Sequence, residues 1–162
     1  MPPLSPSPID ASWMIRPSGV PSRFCAGGIV TRVDAGGVWV ALARETKRPG
    51  YVLPKGGIDP GEDDLEAAVR EIEEEAGFRQ LVCVADLGSR SRLTYTRKAW
   101  STTHYFLFCT EERTPRPIDR LRHPPPTWFR LDDMPDLFWP EQTQLVRLSS
   151  DVIERLSLAV AR

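Results

Sequence analysis

Long apolar runs are missing from this chain of 162 residues, and no stretch approaches the roughly 18 consecutive apolar residues that a membrane helix needs. Histidine is scarce (two residues), and the three cysteines, Cys25, Cys83 and Cys109, form no Cys-x-x-Cys pair. A zinc finger or ribbon is thereby excluded, and the odd, widely spaced thiols read as small residues buried in apolar stretches. An excess of charge of either sign is also lacking: the net charge is −1, so no global field draws in nucleic acid. The N-terminus has neither an apolar core nor an early positive charge, so it does not read as a signal peptide, and a cytoplasmic location is expected. No internal repeat and no second domain are visible.

What is present is an ordinary globular composition, 41% hydrophobic and 27% charged, in a chain long enough for one domain with a real core. Proline is abundant and unevenly placed. Residues 1–21 hold six prolines among serines and read as a largely flexible arm, with Trp13, Met14 and Ile15 as candidates to dock on the domain or extend a sheet edge. Residues 22–162 form the domain. Five further prolines in residues 114–126 mark a loop.

Residues 24–32 and 38–44 read as two strands joined by the turn-forming Asp34-Ala35-Gly36-Gly37. Tyr51-Val52-Leu53 reads as a short strand ended by Pro54, and Gly56, Gly57, Pro60 and Gly61 make the next segment a loop. A helix is expected from Asp63, a good N-cap paired with Glu66, to Gly77, which suits the left-handed position after a helix. Its buried stripe is expected to be Leu65, Ala68, Val69, Ile72 and Ala76. Residues 81–87 and 103–110 read as strands joined through a basic segment, residues 128–131 as a last short strand, and the chain from Glu141 onward as one amphipathic helix.

The chemistry concentrates on the first helix. Glu71, Glu74 and Glu75 stand at i, i+3 and i+4, which places their Cβ atoms about 5–6 Å apart on one face. Such repulsion weakens a helix unless a cation offsets it, and oxygen-only ligands suit Mg²⁺ or Mn²⁺. Arg70 can reach a carboxylate one turn on and orient it. A glutamate-rich face by itself is usually just solvated. The preceding loop changes that reading. Acid between Asp59 and Glu75, followed by Arg90, Arg92, Arg97 and Lys98, would suit a polyanionic substrate that arrives with cations.

Gly56, five residues, Glu62, seven residues, then Arg70-Glu71-Ile72-Glu73-Glu74-Glu75-Ala76-Gly77-Phe78 resembles the Nudix hydrolase signature in full, with Phe78 where an aliphatic residue is commoner. Seven fixed identities at ordinary residue frequencies coincide by chance on the order of 10⁻⁸ per starting point. The resemblance implies an α/β/α sandwich around a central mixed β-sheet. It also implies a divalent-metal-dependent hydrolase that cleaves a pyrophosphate linkage. On it, Glu71, Glu74 and Glu75 with the Gly56 carbonyl become metal ligands, Glu62 helps through water or loop contacts, and Arg70, Glu71 and Glu74 take the catalytic roles. The base is left open among the helix carboxylates and acids elsewhere, Glu111, Glu112 and Glu141 included.

Substrate lies outside the signature. Lys55 directly before Gly56 resembles the dinucleoside polyphosphate and diphosphoinositol polyphosphate branches, while the segment from Tyr95 to Phe108, and Trp128-Phe129 followed by Phe138-Trp139-Pro140-Glu141 before the final helix, resemble bacterial diadenosine polyphosphate hydrolases. That resemblance implies phosphate contacts from Lys55, Arg97, Lys98 and Arg44, and base stacking by Tyr51, Tyr95 or Tyr105. A dinucleoside polyphosphate is the leading expected substrate, a phosphate-rich small molecule of nucleotide type. Diphosphoinositol polyphosphates, ADP-ribose or nucleoside triphosphates, and the 5′ pyrophosphate of RNA are the alternatives. A non-catalytic nucleotide-sensing module is the competing class.

Overall fold

The first hairpin forms where its turn chemistry places it. β1 (Ser22–Asp34) and β2 (Gly37–Leu42) are antiparallel, with Val33 opposite Val38 and Asp34 opposite Gly37. Ala35 (φ 50°) and Gly36 (φ 76°) occupy the left-handed region, as a two-residue turn matched to the strand twist requires. The structure is a computed structural model that describes residues 8–161. It continues with β3 (Lys55–Gly57), α1 (Asp64–Ala76), β4 (Val82–Leu93), β5 (Trp100–Cys109), β6 (Thr127–Arg130), α2 (Pro140–Leu148) and α3 (Ser150–Val160).

The strands join in the order β4-β5-β1-β2-β6. The β1–β5 pair is parallel and the others are antiparallel, so the sheet is mixed. β5 runs beside residues 22–31 of β1, leaving the opposite edge to β2 at residues 30–34 and to β3 at residues 25–27. Alternating side chains feed two cores. Ile29, Leu42, Tyr105 and Leu107 pack with Leu145, Val146 and Ile153 of α2 and α3. Ala26, Val30, Phe106 and Phe108 face Ala67, Ala68, Ile72 and Ala76 of α1. The result is a three-layer α/β/α sandwich, the architecture that the signature implied.

Several local expectations are corrected. Tyr51-Val52-Leu53 is not a strand: Val52 makes a single bridge to Ala43. The strand at this point is β3, inside the expected loop, because β1 lets it approach. A Cβ on Gly27 would lie 2.3 Å from the Pro54 carbonyl oxygen and 2.6 Å from Lys55 Cβ. α1 turns Ala67, Ala68, Ile72 and Ala76 inward, while Leu65 and Val69 stay partly exposed. Small residues let the helix lie close to the sheet, and the two larger ones fall to its flanks. The C-terminal helix is two helices meeting at Ser149, where adjacent serines compete with helical hydrogen bonds, and Leu148 is left 71% exposed. Cys25 and Cys109 are buried, but Cys83 is exposed near a bulge of the edge strand β4.

The described part of the N-terminal arm packs onto the domain. Asp10 caps a 3-10 turn at Ala11–Met14, and Ile9 and Trp13 are buried with Leu93, Phe138 and Trp139. Ile15 remains exposed, and residues 1–7 lie outside the described residues. Among the described residues, no helix is long and apolar enough to cross a membrane.

Candidate active site

The site is assembled where β3 meets α1. Asp63 caps α1 by accepting from the Glu66 N–H at 2.8 Å, and Gly77 closes it at φ 85°. Gly56 has no room for a side chain, since a Cβ there would lie 2.1 Å from Glu71 Oε2. The Glu71 carboxylate therefore rests against the Gly56 backbone. Glu75, one turn on, accepts from the Lys55 N–H at 3.1 Å.

Arg70 ties the loop to the helix. Its guanidinium donates to both oxygens of Glu62 at 2.7 and 2.8 Å and to the Gly57 carbonyl at 2.9 Å. It also reaches Glu71 Oε1 at 2.9 Å and Glu74 at 3.3 and 3.4 Å. The planar fork explains why an arginine stands here: a lysine could not hold four acceptor groups at fixed angles. These bonds pull the Glu62 carboxyl down to about 2.

Desolvation acts the other way on the inner carboxylates. It raises Glu71, and it pushes Glu75 up to about 8 against the opposing Lys55 N–H and ammonium. Lys55 is shifted down, by desolvation first and by Arg92 second. The corner is thus short of positive charge at Glu71 and Glu75, and a bound cation would supply it.

Among the described residues, no three acidic, histidine or cysteine side chains converge into a ready-made metal cage. That agrees with the donor chemistry. Mg²⁺ commonly takes one or two carboxylates and completes its octahedron with water and substrate phosphates. One or two of Glu71, Glu74 and Glu75, with the Gly56 carbonyl, would supply an oxygen-only set of this kind. They fit the group.

A proton linkage follows. Because the fold raises Glu75 from 4.5 to about 8, its contribution to stability is full below pH 4.5 and disappears as pH rises through about 8. Mg²⁺ needs the carboxylate, so binding at pH 7 is expected to release close to one proton and to be about tenfold weaker than above pH 9. Calorimetric titrations in buffers of different ionisation enthalpy measure both. Proton release that stays at zero from pH 7 to pH 9 would contradict the assignment.

The carboxylates open on a cleft of about 640 Å³. Five cations line it: Arg23, Arg48, Lys55, Arg92 and Arg122. Strand register aligns two of them, because Ser101 on β5 pairs with Arg23 on one side and Arg92 on the other. Arg92 is 4% exposed, pairs with the equally buried Glu141, stacks 3.1 Å above the Trp139 ring centre and donates to the Leu93 carbonyl at 3.0 Å. Two loops form the rim, joined where Thr46 N–H donates to the Arg122 carbonyl at 3.1 Å.

Of the sequence-named residues, the structure brings Lys55, Gly56, Glu71, Glu74 and Glu75 together at the cleft, with Arg70 behind them and Tyr95 on the far wall. It does not bring five others. Tyr105 is a core residue whose hydroxyl accepts from Gln142 Nε2 at 2.9 Å, so it has no free face for a base. Tyr51 packs edge-on against Phe129, with the Arg44 guanidinium 5.7 Å from its ring centre, and neither lines the cleft. Arg97 sits at φ 60° in the turn after β4 and stacks 4.4 Å from the Trp13 ring centre, while Lys98 beside it faces solvent.

Nor are Glu111 and Glu112 among the cleft residues; Glu112 accepts from the Arg79 and Gln80 N–H groups at 2.8 Å each. His104 bridges Asp64 at 2.7 Å and Asp86 at 2.8 Å, joining α1 to β4. The cleft cations Arg23, Arg48 and Arg122 carry no local sequence signal, since strand register and loop closure place them.

A family model described as the NUDIX domain matches residues 22–149. The chain belongs to the NUDIX family. The signature residues Gly56, Glu62, Arg70, Glu71, Glu74, Glu75 and Gly77 all lie within the matched span, in a family that depends on divalent metal.

It is 32% identical over 145 residues to an RNA pyrophosphohydrolase of Erythrobacter litoralis, covering 77% of this chain and 86% of that one. It is 39% identical over 82 residues to an RNA pyrophosphohydrolase of Sphingopyxis alaskensis, covering 51% of this chain and 50% of that one. It is also 36% identical over 84 residues to the asymmetrical bis(5′-nucleosyl)-tetraphosphatase of Rattus norvegicus, covering 51% and 57%. The match thus spans about half the length of the last two relatives. A C. elegans Ap4A hydrolase shares the Nudix fold at a TM-score of 0.68, with 24% identity over 81% of this chain and 97% of that one.

Proposed function

We propose that this Nudix enzyme hydrolyses dinucleoside polyphosphates with Mg²⁺ as its metal. The observation that carries this reading is the cleft itself: glutamates on α1 at one end, and Arg23, Arg48, Lys55, Arg92 and Arg122 distributed around the rest. One pyrophosphate would need few of these cations. A chain of four or more phosphates engages the whole set, and a nucleobase would lie beside Tyr95, whose ring already carries the Arg48 guanidinium at 4.6 Å.

Glu71, Glu74, Glu75 and the Gly56 carbonyl would hold the metal. When bound, Mg²⁺ offsets charge on the phosphoryl oxygens and lowers the pKa of a water ligand. Arg70 keeps Glu71 and Glu74 aimed into the cleft, and the cationic wall fixes the phosphate chain for in-line attack. A water oxygen bonds to phosphorus, the bridging P–O bond breaks, and the water proton passes to a carboxylate. Glu74, held by Arg70 only at 3.3 and 3.4 Å, is the glutamate best able to turn and accept it.

The second reading, removal of pyrophosphate from the 5′ end of RNA, is supported by the Erythrobacter litoralis relative. A panel of diadenosine tetra-, penta- and hexaphosphate, ADP-ribose and a 5′-triphosphorylated oligoribonucleotide separates the two. The expected result is Mg²⁺-dependent conversion of the dinucleotides to two mononucleotides at the highest kcat/KM. Conversion of the oligoribonucleotide alone would replace this reading with the second. A non-catalytic sensor would convert none of them.

A further inference from the structure

The turn between β4 and β5 presents one side to the cleft and the other to the N-terminal arm. Thr94, Tyr95 and Thr96 line the cleft. Tyr95 and Arg97 both lie against Trp13 of the arm, the Tyr95 ring centre at 6.2 Å from that of Trp13 and the Arg97 guanidinium at 4.4 Å. Trp13 is 6% exposed and meets Trp139 edge-on at 6.2 Å. Tyr95 also sits 6.0 Å from Phe138 and 6.4 Å from Trp139, yet stays 45% exposed.

Inside the turn the hydrogen bonds are local. The Arg97 N–H donates to the Thr94 carbonyl at 2.8 Å, and the Ala99 N–H to Thr94 Oγ1 at 3.2 Å. These bonds shape the turn but do not tie it to another element. Arg97 has φ 60°, a conformation that costs energy for any residue with a side chain, and its stacking on Trp13 offsets that cost. The arm beneath is itself well secured. Asp10 caps its 3-10 turn, Arg16 donates to the Val20 carbonyl and Ser22 Oγ at 2.9 Å each, and the Pro21 carbonyl accepts from the Trp100 N–H at 2.8 Å.

We infer that Trp13 is a positioning residue for substrate: through Tyr95 and Arg97 it fixes the β4–β5 turn, and with it the wall that receives a nucleoside end. This rests on the dinucleotide reading of the cleft. A nucleoside is the ligand class because the turn offers the cleft a half-exposed aromatic ring and two threonines. The cation stacked on that ring, Arg48, is already paired with Glu45 at 3.5 Å. A turn ordered before binding spares the substrate the cost of ordering it, so the contribution of the arm is read in affinity.

The test compares the unaltered full chain with Trp13→Ala, Trp13→Phe and Arg97→Gly. Glycine adopts the φ of residue 97 without strain, so the last variant removes the clamp from an exposed position and spares the buried cluster. Affinities for a methylene-bridged, non-hydrolysable diadenosine tetraphosphate and for inorganic triphosphate are measured by calorimetry with Mg²⁺ present, beside KM and kcat. Trp13→Ala is expected to weaken the dinucleotide and raise KM about five- to tenfold, with triphosphate affinity and kcat within about twofold. Arg97→Gly is expected to weaken the dinucleotide about threefold at an unchanged thermal midpoint, and Trp13→Phe to recover most of the affinity. Unchanged dinucleotide affinity in either Trp13→Ala or Arg97→Gly would overturn the inference, as would equal losses for both probes. If the unaltered enzyme binds the dinucleotide without turning it over, the hydrolytic reading fails while the affinities still decide the role of Trp13. If it does not bind the dinucleotide, the substrate reading fails. Hydrogen exchange at the Arg97 and Ala99 N–H groups then decides whether Trp13 holds the turn, and rates unaltered by Trp13→Ala would overturn that as well.

Discussion

Glu71→Gln and Glu75→Gln are each expected to lower kcat/KM by about a thousandfold or more. The amide keeps the shape of the side chain but removes the charge that would hold the metal. Metal stabilisation of the transition state is worth several kcal/mol, and each 1.4 kcal/mol is about a factor of ten. The two variants should differ in stability. Glu75 is the more strongly desolvated, and its fold-raised pKa of about 8 makes the ionised form unfavourable at neutral pH without metal. Glu75→Gln should therefore raise the thermal midpoint of the metal-free protein at pH 8 to 9, while abolishing its response to Mg²⁺. A loss of less than tenfold in turnover for both variants would reduce the α1 carboxylates to a solvated face.

Glu141→Ala carries the largest expected cost in stability, about 3–5 kcal/mol in urea unfolding. Glu141 and Arg92 are 7% and 4% exposed, and removing one partner leaves a buried guanidinium uncompensated against Trp139. One Glu141 oxygen is already buried without a hydrogen bond, so the pair is not perfectly satisfied even when intact. Replacing both members with methionine should therefore recover most of the lost stability, because neither charge then needs burying. Substrate binding should not recover, since Arg92 lines the cleft. If the double variant regained full affinity, Arg92 would be a structural residue and no part of the phosphate-binding wall.

The α1 carboxylates and the Arg92–Glu141 pair differ in how far local sequence reveals them. The carboxylate face was legible because it is local: helical spacing alone places Glu71, Glu74 and Glu75 together, and the offset from Gly56 and Glu62 identifies the loop that closes on them. Asp63 and Gly77 were legible as caps for the same reason. The cationic wall was not. Arg92 reaches the cleft through pairing across three strands, where Ser101 has Arg23 on one side and Arg92 on the other, and nothing local in the sequence shows that alignment.

Composition made Arg97 and Lys98 look equivalent to Arg92, but the turn at φ 60° carries them away from the cleft. Tyr105 looked like a stacking residue because aromatic character does not say which sheet face is covered. In the structure α2 covers it, through Gln142. The arm was legible in part: Trp13 stood out as a residue able to dock and does so, whereas Ile9 did not, and the apolar site among Leu93, Phe138 and Trp139 that takes both is presented only by the assembled domain.

On the proposed reading the α1 glutamates form a cation platform beside a phosphate-binding wall. Electron paramagnetic resonance during a Mn²⁺ titration tests it most directly, because free Mn²⁺ gives a strong signal that falls when the ion is bound. The unaltered enzyme is expected to deplete that signal, more so when inorganic triphosphate is added, and a variant carrying both Glu71→Gln and Glu75→Gln is expected to leave it unchanged. Equal depletion by the two proteins would contradict the assignment of these carboxylates.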